Sequence, residues 1–255
     1  MYPELFKIGT FSVSSFGLMV ALAFLAAYWI SQKECQRKGI SIDLHGNFFL
    51  AAMIGGIAGA KLLYIFENIG FSDFVSNPVQ HIFARGGLTF YGGLIGATLL
   101  SYIVIKREGG SFLKVGDAIA PSLALAYSIG RIGCLLVGDD YGIPSDLPWA
   151  LSFPDGLPPT NVAVHPTQIY ETIIMFIVFV FLWKIRKKNE TYGWLFSIYL
   201  ILAGLERFFI EFIRNTTDSP IPGLSVAQIT ALLLIVIGIF KFLSINSKTN
   251  TINPN

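Results

Sequence analysis

Seven apolar stretches constrain this chain more than any other feature, because a bilayer core about 30 Å thick asks for roughly 20 mostly apolar residues per crossing helix. The clearest run from Phe16 to Ile30, Leu88 to Ile105, Ile173 to Trp183, Trp194 to Ile213 and Leu224 to Leu243. Two more, Phe48 to Phe66 and Ala118 to Val137, are richer in Gly and Ala. Small residues let helix backbones approach closely, which places these two inside a bundle. Composition agrees: 53% of the 255 residues are hydrophobic, 13% are charged and the mean hydropathy is +0.63. That is more apolar surface than one soluble core would bury. A formal net charge of +2 leaves no basic field for nucleic acid. The expected fold is an all-α integral membrane protein with about seven transmembrane helices, forming one polytopic domain over 1–255.

Basic residues fall on alternate connections. Lys33, Arg37 and Lys38 follow the first span, and Lys106, Arg107 and Lys114 follow the third. Lys184, Arg186, Lys187 and Lys188 follow the fifth, and Lys241 and Lys248 flank the C-terminus. Twelve of the 18 basic residues thus share one side. The positive-inside rule makes that side cytoplasmic, with the N-terminus outside and the C-terminus inside. The opening MYPELFKIGTFSVSS has one Lys and no small-residue cleavage pattern, so the first apolar segment is expected to be a retained span. Two irregular external arms are expected at 68–85 and 139–164, and 249–255 is expected to be a disordered tail. Six of the 12 prolines lie in the second arm or just past its end, which stiffens it.

Cys35, in a cytoplasmic loop, cannot pair with Cys134 near an outer helix end. His45, His81 and His165 sit on separate segments, and no His/Cys/Asp/Glu group has metal-ligand spacing. Neither a metal nor a cofactor is expected.

Ionisable residues inside spans are costly and mark function by default. The sixth span carries Glu206, Arg207, Glu211 and Arg214, the last three at i, i+4 and i+7 on one helical face. Arg207 reads as an anion ligand and Glu211 as its orienting partner or a base; the plainer reading is a structural ion pair. Arg131 sits near the outer end of the fourth span within GRIGCLLVGDDYG, Gly130 to Gly142. A guanidinium there suits bidentate phosphate recognition or snorkels to headgroups. The glycines of that block serve ligand approach or tight packing equally well. In HPTQIYE, Pro166 suits the first helical position with His165 at the cap, and Gln168 and Glu171 lie on the face below. They line an outward polar cavity or fix the entry of the helix. In RGGLTFYGGLIG, Arg85 to Gly96, the pair Gly92 and Gly96 is a helix-packing motif, and Tyr91 is an interfacial aromatic or a hydroxyl in a cavity. Two arginines, several carboxylates and a Tyr near the outward half of a bundle favour a phosphate-bearing ligand, most simply an anionic phospholipid. The residues by themselves leave an enzyme and a transporter both open.

With RFFIEFIR, Arg207 to Arg214, these four blocks stand in the order and spacing of the bacterial prolipoprotein diacylglyceryl transferases, which the chain resembles from about Phe16 to Leu243. The resemblance implies a multi-pass inner-membrane enzyme whose site faces the periplasm or outer face and the lipid. It implies transfer of the diacylglyceryl group of phosphatidylglycerol to the lipobox cysteine of a prolipoprotein signal peptide, with a thioether and glycerol 1-phosphate as products. On that basis Arg131 and Arg207 hold the phosphate, and Asp139, Gly142, Glu211 and Arg214 occupy family positions. His165, Gln168, Glu171 and Cys134 line the substrate site. The chain departs from the family at three of these places: Tyr91 stands where many members have a His often given the role of base, Cys134 where they have Asn, and Asp139 where they have Glu. Phe16, in place of a Tyr, is a fourth departure. The proton could then go to Tyr91, Asp139, Glu211 or the phosphate itself. The departures leave room for a divergent paralogue with another thiol acceptor, or a weakly active lipid- or lipoprotein-binding relative. A transporter or scramblase of an anionic lipid would call for inverted repeats, and the sequence shows no such internal similarity.

Overall fold

The computed structural model describes residues 2–9, 11–84, 87–214 and 223–252. Each of the seven apolar stretches is helical over most of its length. They lie in α1 (Ser15–Arg37), α2 (Ile42–Asn68), α5 (Phe90–Arg107), α6 (Phe112–Val137), α7 (Thr167–Ile185), α8 (Trp194–Ile210) and α9 (Val226–Ile252). Among the described residues, five helices are long and apolar enough to cross a membrane: Ser15–Arg37, Ile42–Asn68, Phe112–Val137, Thr167–Ile185 and Val226–Ile245. The other two, α5 and α8, have 18 and 17 residues. At 1.5 Å per residue they reach roughly 25–27 Å, a little under the apolar thickness of a bilayer.

The protein is mostly helical, as an all-α membrane protein should be, with local additions. Two short antiparallel ribbons join the helices: β1 (Glu4–Ile8) pairs with β2 (Phe11–Ser14), and β3 (Leu151–Phe153) pairs with β4 (Thr160–Val164). The arm expected to be irregular at 139–164 therefore contains sheet, and 68–85 contains the short helices α3 (Phe71–Ser76) and α4 (Pro78–Phe83). Backbone hydrogen bonds that no helix supplies must be met elsewhere, and short strand pairs meet them. Helix α9 also runs on into the segment expected to be a tail, to Ile252; residues 253–255 lie outside the described residues.

The chain divides into two units, Cys35–Val115 and the rest. In the first, α2 and α5 pack in opposite directions through facing glycines. A Cβ built on Gly55 or Gly59 would collide with the carbonyl of Gly96 or Gly92 respectively, and the reverse contacts are equally tight. Gly55-xxx-Gly59 thus faces Gly92-xxx-Gly96, a close approach that only small residues permit. Hydrogen bonds finish the seam: Ser101 Oγ donates to the Phe48 carbonyl at 3.3 Å, and the Thr89 N–H and hydroxyl both donate to the Ala60 carbonyl. Tyr91 lies in the first turn of this unit's α5, edge-on to Phe90. Arg85 and Gly86, which open its sequence block, lie outside the described residues.

In the second unit, α6, α7 and α8 share a core of Ala120, Ala124, Met175, Leu182 and Leu195. The Asp117 carboxylate accepts from the N–H groups of Gly193 and Phe196, both at 2.8 Å. It thereby caps the start of α8 with negative charge, where the helix dipole favours it. Ser128 and Thr172 exchange hydroxyl-to-carbonyl hydrogen bonds that tie α6 to the first turns of α7. Large apolar side chains such as Trp29, Ile177, Phe209, Val236 and Phe240 are exposed on the outside of this unit. Apolar surface left open on this scale suits lipid contact.

Candidate active site

Glu171 is the centre of the polar cluster. It is fully buried on the first turns of α7. Its Oε2 lies 2.7 Å from Nε of Arg131 on α6, and its Oε1 lies 3.4 Å from Nη1 of Arg207 on α8. The Tyr127 hydroxyl, one turn before Arg131, donates to Oε1 at 3.2 Å and accepts from Nη2 of Arg131 at the same distance. Three helices are thereby joined through one carboxylate.

A turn after α6 closes one side of the cluster. Gly138 and Asp140 both have left-handed backbones, φ +77° and +60°. Glycine takes that conformation freely, and Asp tolerates it better than most residues. Two side chains at the start of α7 hold the turn in place: the Thr167 hydroxyl donates to the Asp140 carbonyl at 2.7 Å, and Gln168 Nε2 donates to the Asp139 carbonyl. The Asp140 carboxylate then reaches Nη1 of Arg131 at 2.8 Å and also pairs with Arg214. Burial alone would push the Asp140 carboxyl up, but Arg214 and Arg131 beside it hold it below the usual carboxylate range. Asp139 goes the other way. Burial pushes its carboxyl up and the neighbouring Asp140 charge adds to the rise.

Helix α8 ends at Ile210, followed by a 3₁₀ turn over Glu211–Ile213 and an extended Arg214 at φ −90°, ψ 145°. The expected run of Arg207, Glu211 and Arg214 along one helical face is therefore corrected at its last member. The backbone there is drawn into pairing instead. Gly142 bridges to Arg214, the Ile143 N–H donates to the Ile213 carbonyl at 3.0 Å, and the Gly142 N–H donates to the His165 carbonyl at 2.8 Å. A Cβ on Gly142 would collide with the Ile213 carbonyl and lie 2.8 Å from His165 Cβ, so this glycine serves close backbone packing. Nothing lies within 4 Å of a Cβ built on Gly130, which leaves that position open. Glu211 sets its Oε2 2.8 Å from Nη2 of Arg207 and accepts from the Ser225 hydroxyl at 2.7 Å.

Cys134 and His165 fall around this cluster, whereas Tyr91 belongs to the unit of α2 and α5. Cys134 Sγ is 3.6 Å from Nη1 of Arg131. His165 contacts the Tyr170 hydroxyl at 3.4 Å, and the Trp149 indole donates to that hydroxyl at 2.8 Å. Helix α7 begins at Thr167 with Pro166 at the cap, one residue later than the sequence pattern predicts. In the Asp pair it is Asp140 that the arginines engage, next to the Asp139 that the sequence singles out. Asp140 and Tyr127 were missed because neither spacing nor composition separates them from their neighbours. The structure also brings ligand atoms of Cys134, Asp139 and Asp140 within 4.8 Å of one another, a grouping that metal-ligand spacing did not signal. Arg131 and Arg214 already neutralise Asp140 there, and their charges oppose a cation.

Three guanidiniums and three carboxylates thus meet in one largely buried cluster, with each arginine side chain between 11% and 24% exposed. Removing so many charges from water gains little stability by itself. Such a cluster suits an anion that can take over donors from the carboxylates. Comparison with known proteins decides the family. The family model described as prolipoprotein diacylglyceryl transferase matches residues 3–244.

The chain belongs to this family. Among curated relatives it is 37% identical, over 95% of this chain and 97% of the relative, to the phosphatidylglycerol–prolipoprotein diacylglyceryl transferase of Clostridium tetani. It is 34% identical, over 92% of each chain, to the enzyme of that name from Finegoldia magna. It is 32% identical, over 90% of each, to phosphatidylglycerol–prolipoprotein diacylglyceryl transferase 2 of Clostridium perfringens. The diacylglyceryl transferase blocks of the sequence are the ones that supply Arg131, Asp140, Glu171, Arg207 and Arg214 to the cluster.

Proposed function

We propose that the chain transfers the diacylglyceryl group of phosphatidylglycerol to the lipobox cysteine thiol of a prolipoprotein, forming a thioether and releasing glycerol 1-phosphate. The observation that carries this reading is the convergence of Arg131, Arg207 and Arg214 on one desolvated cluster from two separate family blocks, around the Glu171 of a third. The reaction breaks a C–O bond to phosphate at a saturated carbon while an S–C bond forms. Negative charge gathers on the departing phosphate, and fixed guanidiniums in a low-dielectric site stabilise it most strongly. Arg207, the most exposed of the three, has two of its five N–H donors placed against carboxylates, which leaves donors for the lipid phosphate. Asp140 aims Arg131 and Arg214. The engagement of Glu211 with Arg207 and Ser225 supports an orienting role for it, in place of a base. Gly142 and Gln168 act through the backbone they pack against or hold, and His165 and Cys134 flank the phosphate site.

In this reading α5 and α8 complete seven spans in a bacterial inner membrane. The N-terminus lies outside and the C-terminus in the cytoplasm, and the cluster opens toward the periplasmic or outer face. The basic residues that follow α1, α5 and α7 support that orientation.

The test uses protein purified in detergent, given phosphatidylglycerol and a lipobox-cysteine peptide. Mass spectrometry is expected to show peptide carrying one diacylglyceryl group, with an equal amount of glycerol phosphate released. Neither product, from folded protein and verified substrates, would overturn the reading.

A further inference from the structure

Helices α7 and α8 leave an open groove of about 490 Å³ between them, walled by Ile174, Val178, Leu202, Leu205 and Phe209. One carboxylate lies in that apolar wall: Glu206, which is buried and whose Oε1 has no hydrogen-bond partner. Of the other carboxylates near the arginines, Asp139 also has a buried oxygen without a hydrogen-bond partner but does not line the groove, and the remaining three are paired. Glu171 faces Arg131 and Arg207, Asp140 faces Arg131 and Arg214, and Glu211 faces Arg207. Glu206 precedes Arg207 directly, so the two side chains leave the helix about 100° apart. Arg207 turns into the cluster and Glu206 toward the groove. The carboxylate stays near enough to Glu171, Arg131 and Arg207 to feel their charges. An unpaired carboxylate at membrane depth is costly and marks function.

The charges sort the two substrates of the proposed reaction. A lipid phosphate is drawn to the guanidiniums and repelled by Glu206; a thiol is neutral and meets no such repulsion. A free thiol has a pKa near 8.5 and must lose its proton to attack. We propose that Glu206 takes the proton of the acceptor thiol, with the α7–α8 groove holding the apolar residues around that cysteine. The S–H bond breaks and its proton passes to the Glu206 carboxylate. The S–C bond forms on the diacylglyceryl carbon as the C–O bond breaks, and the electron pair of that bond leaves with glycerol phosphate against the arginines. This inference rests on the transferase reading above.

The experiment compares wild type, Glu206→Gln and Asp139→Asn with two peptides, one carrying the lipobox cysteine and one carrying selenocysteine in its place. A selenol is ionised at neutral pH and needs no base. Glu206→Gln is expected to lose about 10²-fold or more in transfer to cysteine. With selenocysteine it should stay within a few-fold of wild type. Equal loss with both peptides assigns Glu206 a structural role and overturns the proposal, as does undiminished transfer to cysteine. Rescue by selenocysteine in Asp139→Asn alone moves the base to Asp139. Thermal unfolding checks that each variant is folded, and Glu206→Met replaces the Gln variant if that one is not. No transfer by wild type to either peptide defeats the underlying function itself, an outcome distinct from the others.

Discussion

Two helix seams in this molecule are closed by opposite means. Between α2 and α5, Gly55 and Gly59 face Gly96 and Gly92 so closely that backbone touches backbone. Between α6, α7 and α8, Glu171 draws in Arg131, Arg207 and Tyr127. Lipid offers no hydrophobic drive between helices, so association must come from close packing or from polar contacts. The glycine seam gains dispersion energy over a short distance and has no room for a ligand. The ionic seam sets desolvation against attraction and gains little net stability. In the proposed reaction its guanidiniums exchange a carboxylate for a phosphate. On that reading one seam is built for holding and the other for chemistry, and substitutions should separate them.

The largest effect is expected at the ionic seam in activity. Arg207→Lys should lower diacylglyceryl transfer by about 10²-fold, because an ammonium cannot reproduce the planar fork. Its unfolding temperature in detergent should change little. Near-normal turnover would remove Arg207 from the phosphate site. At the glycine seam the order reverses, with stability the main readout. Gly96→Val forces a branched side chain against the Gly55 carbonyl and the Gly59 Cα, which lies 2.9 Å from a built Cβ. A loss of about 2–3 kcal/mol is expected by thermal unfolding. Unchanged stability would mean that the two helices do not meet there.

A smaller effect separates the two adjacent aspartates. Asp140 is held below its ordinary range, so its contribution to stability is present above the unfolded carboxylate value of about 3.9 and lost as pH falls through its lower folded value. Asp140→Asn should therefore destabilise at pH 7 by about 1 kcal/mol, a modest figure because the carboxylate is 40% exposed. Asp139 has the raised value, so its contribution is present at low pH and lost as pH rises through that value. Asp139→Asn should be neutral or slightly stabilising at pH 7. Unfolding curves at pH 5 and pH 8 for both variants decide the matter, and the same sign for both would contradict the pairing. The smallest effect belongs to Gly130, where a Cβ meets open space. Gly130→Ala should stabilise α6 by up to about 1 kcal/mol. A fall in transfer activity alongside that gain would show that the open side admits substrate.

The helical stretches were legible because an apolar run of the right length has few alternatives in a bilayer. Gly92 and Gly96 were legible as a packing motif through their spacing, while their partners Gly55 and Gly59 were visible only as a Gly-rich stretch. Arg131, Arg207, Glu211 and Glu171 stood out as charges where lipid should be. Their partners did not, since Tyr127 and Asp140 join the cluster only through a left-handed turn pinned by Thr167 and Gln168.

The sequence by itself determined that this chain is a helical membrane protein, which residues are costly enough to need a purpose, and the blocks that mark its family. Those properties are local: hydropathy, spacing and motif order survive in one dimension. Only the tertiary structure decided that Asp140 and not Asp139 meets the arginines, that Arg214 leaves the helix to bridge with Gly142, and that Glu206 turns to the groove. Ion pairing and backbone bridging act over a few ångströms between residues far apart in the chain, and no local pattern records which of two neighbouring carboxylates will close that distance.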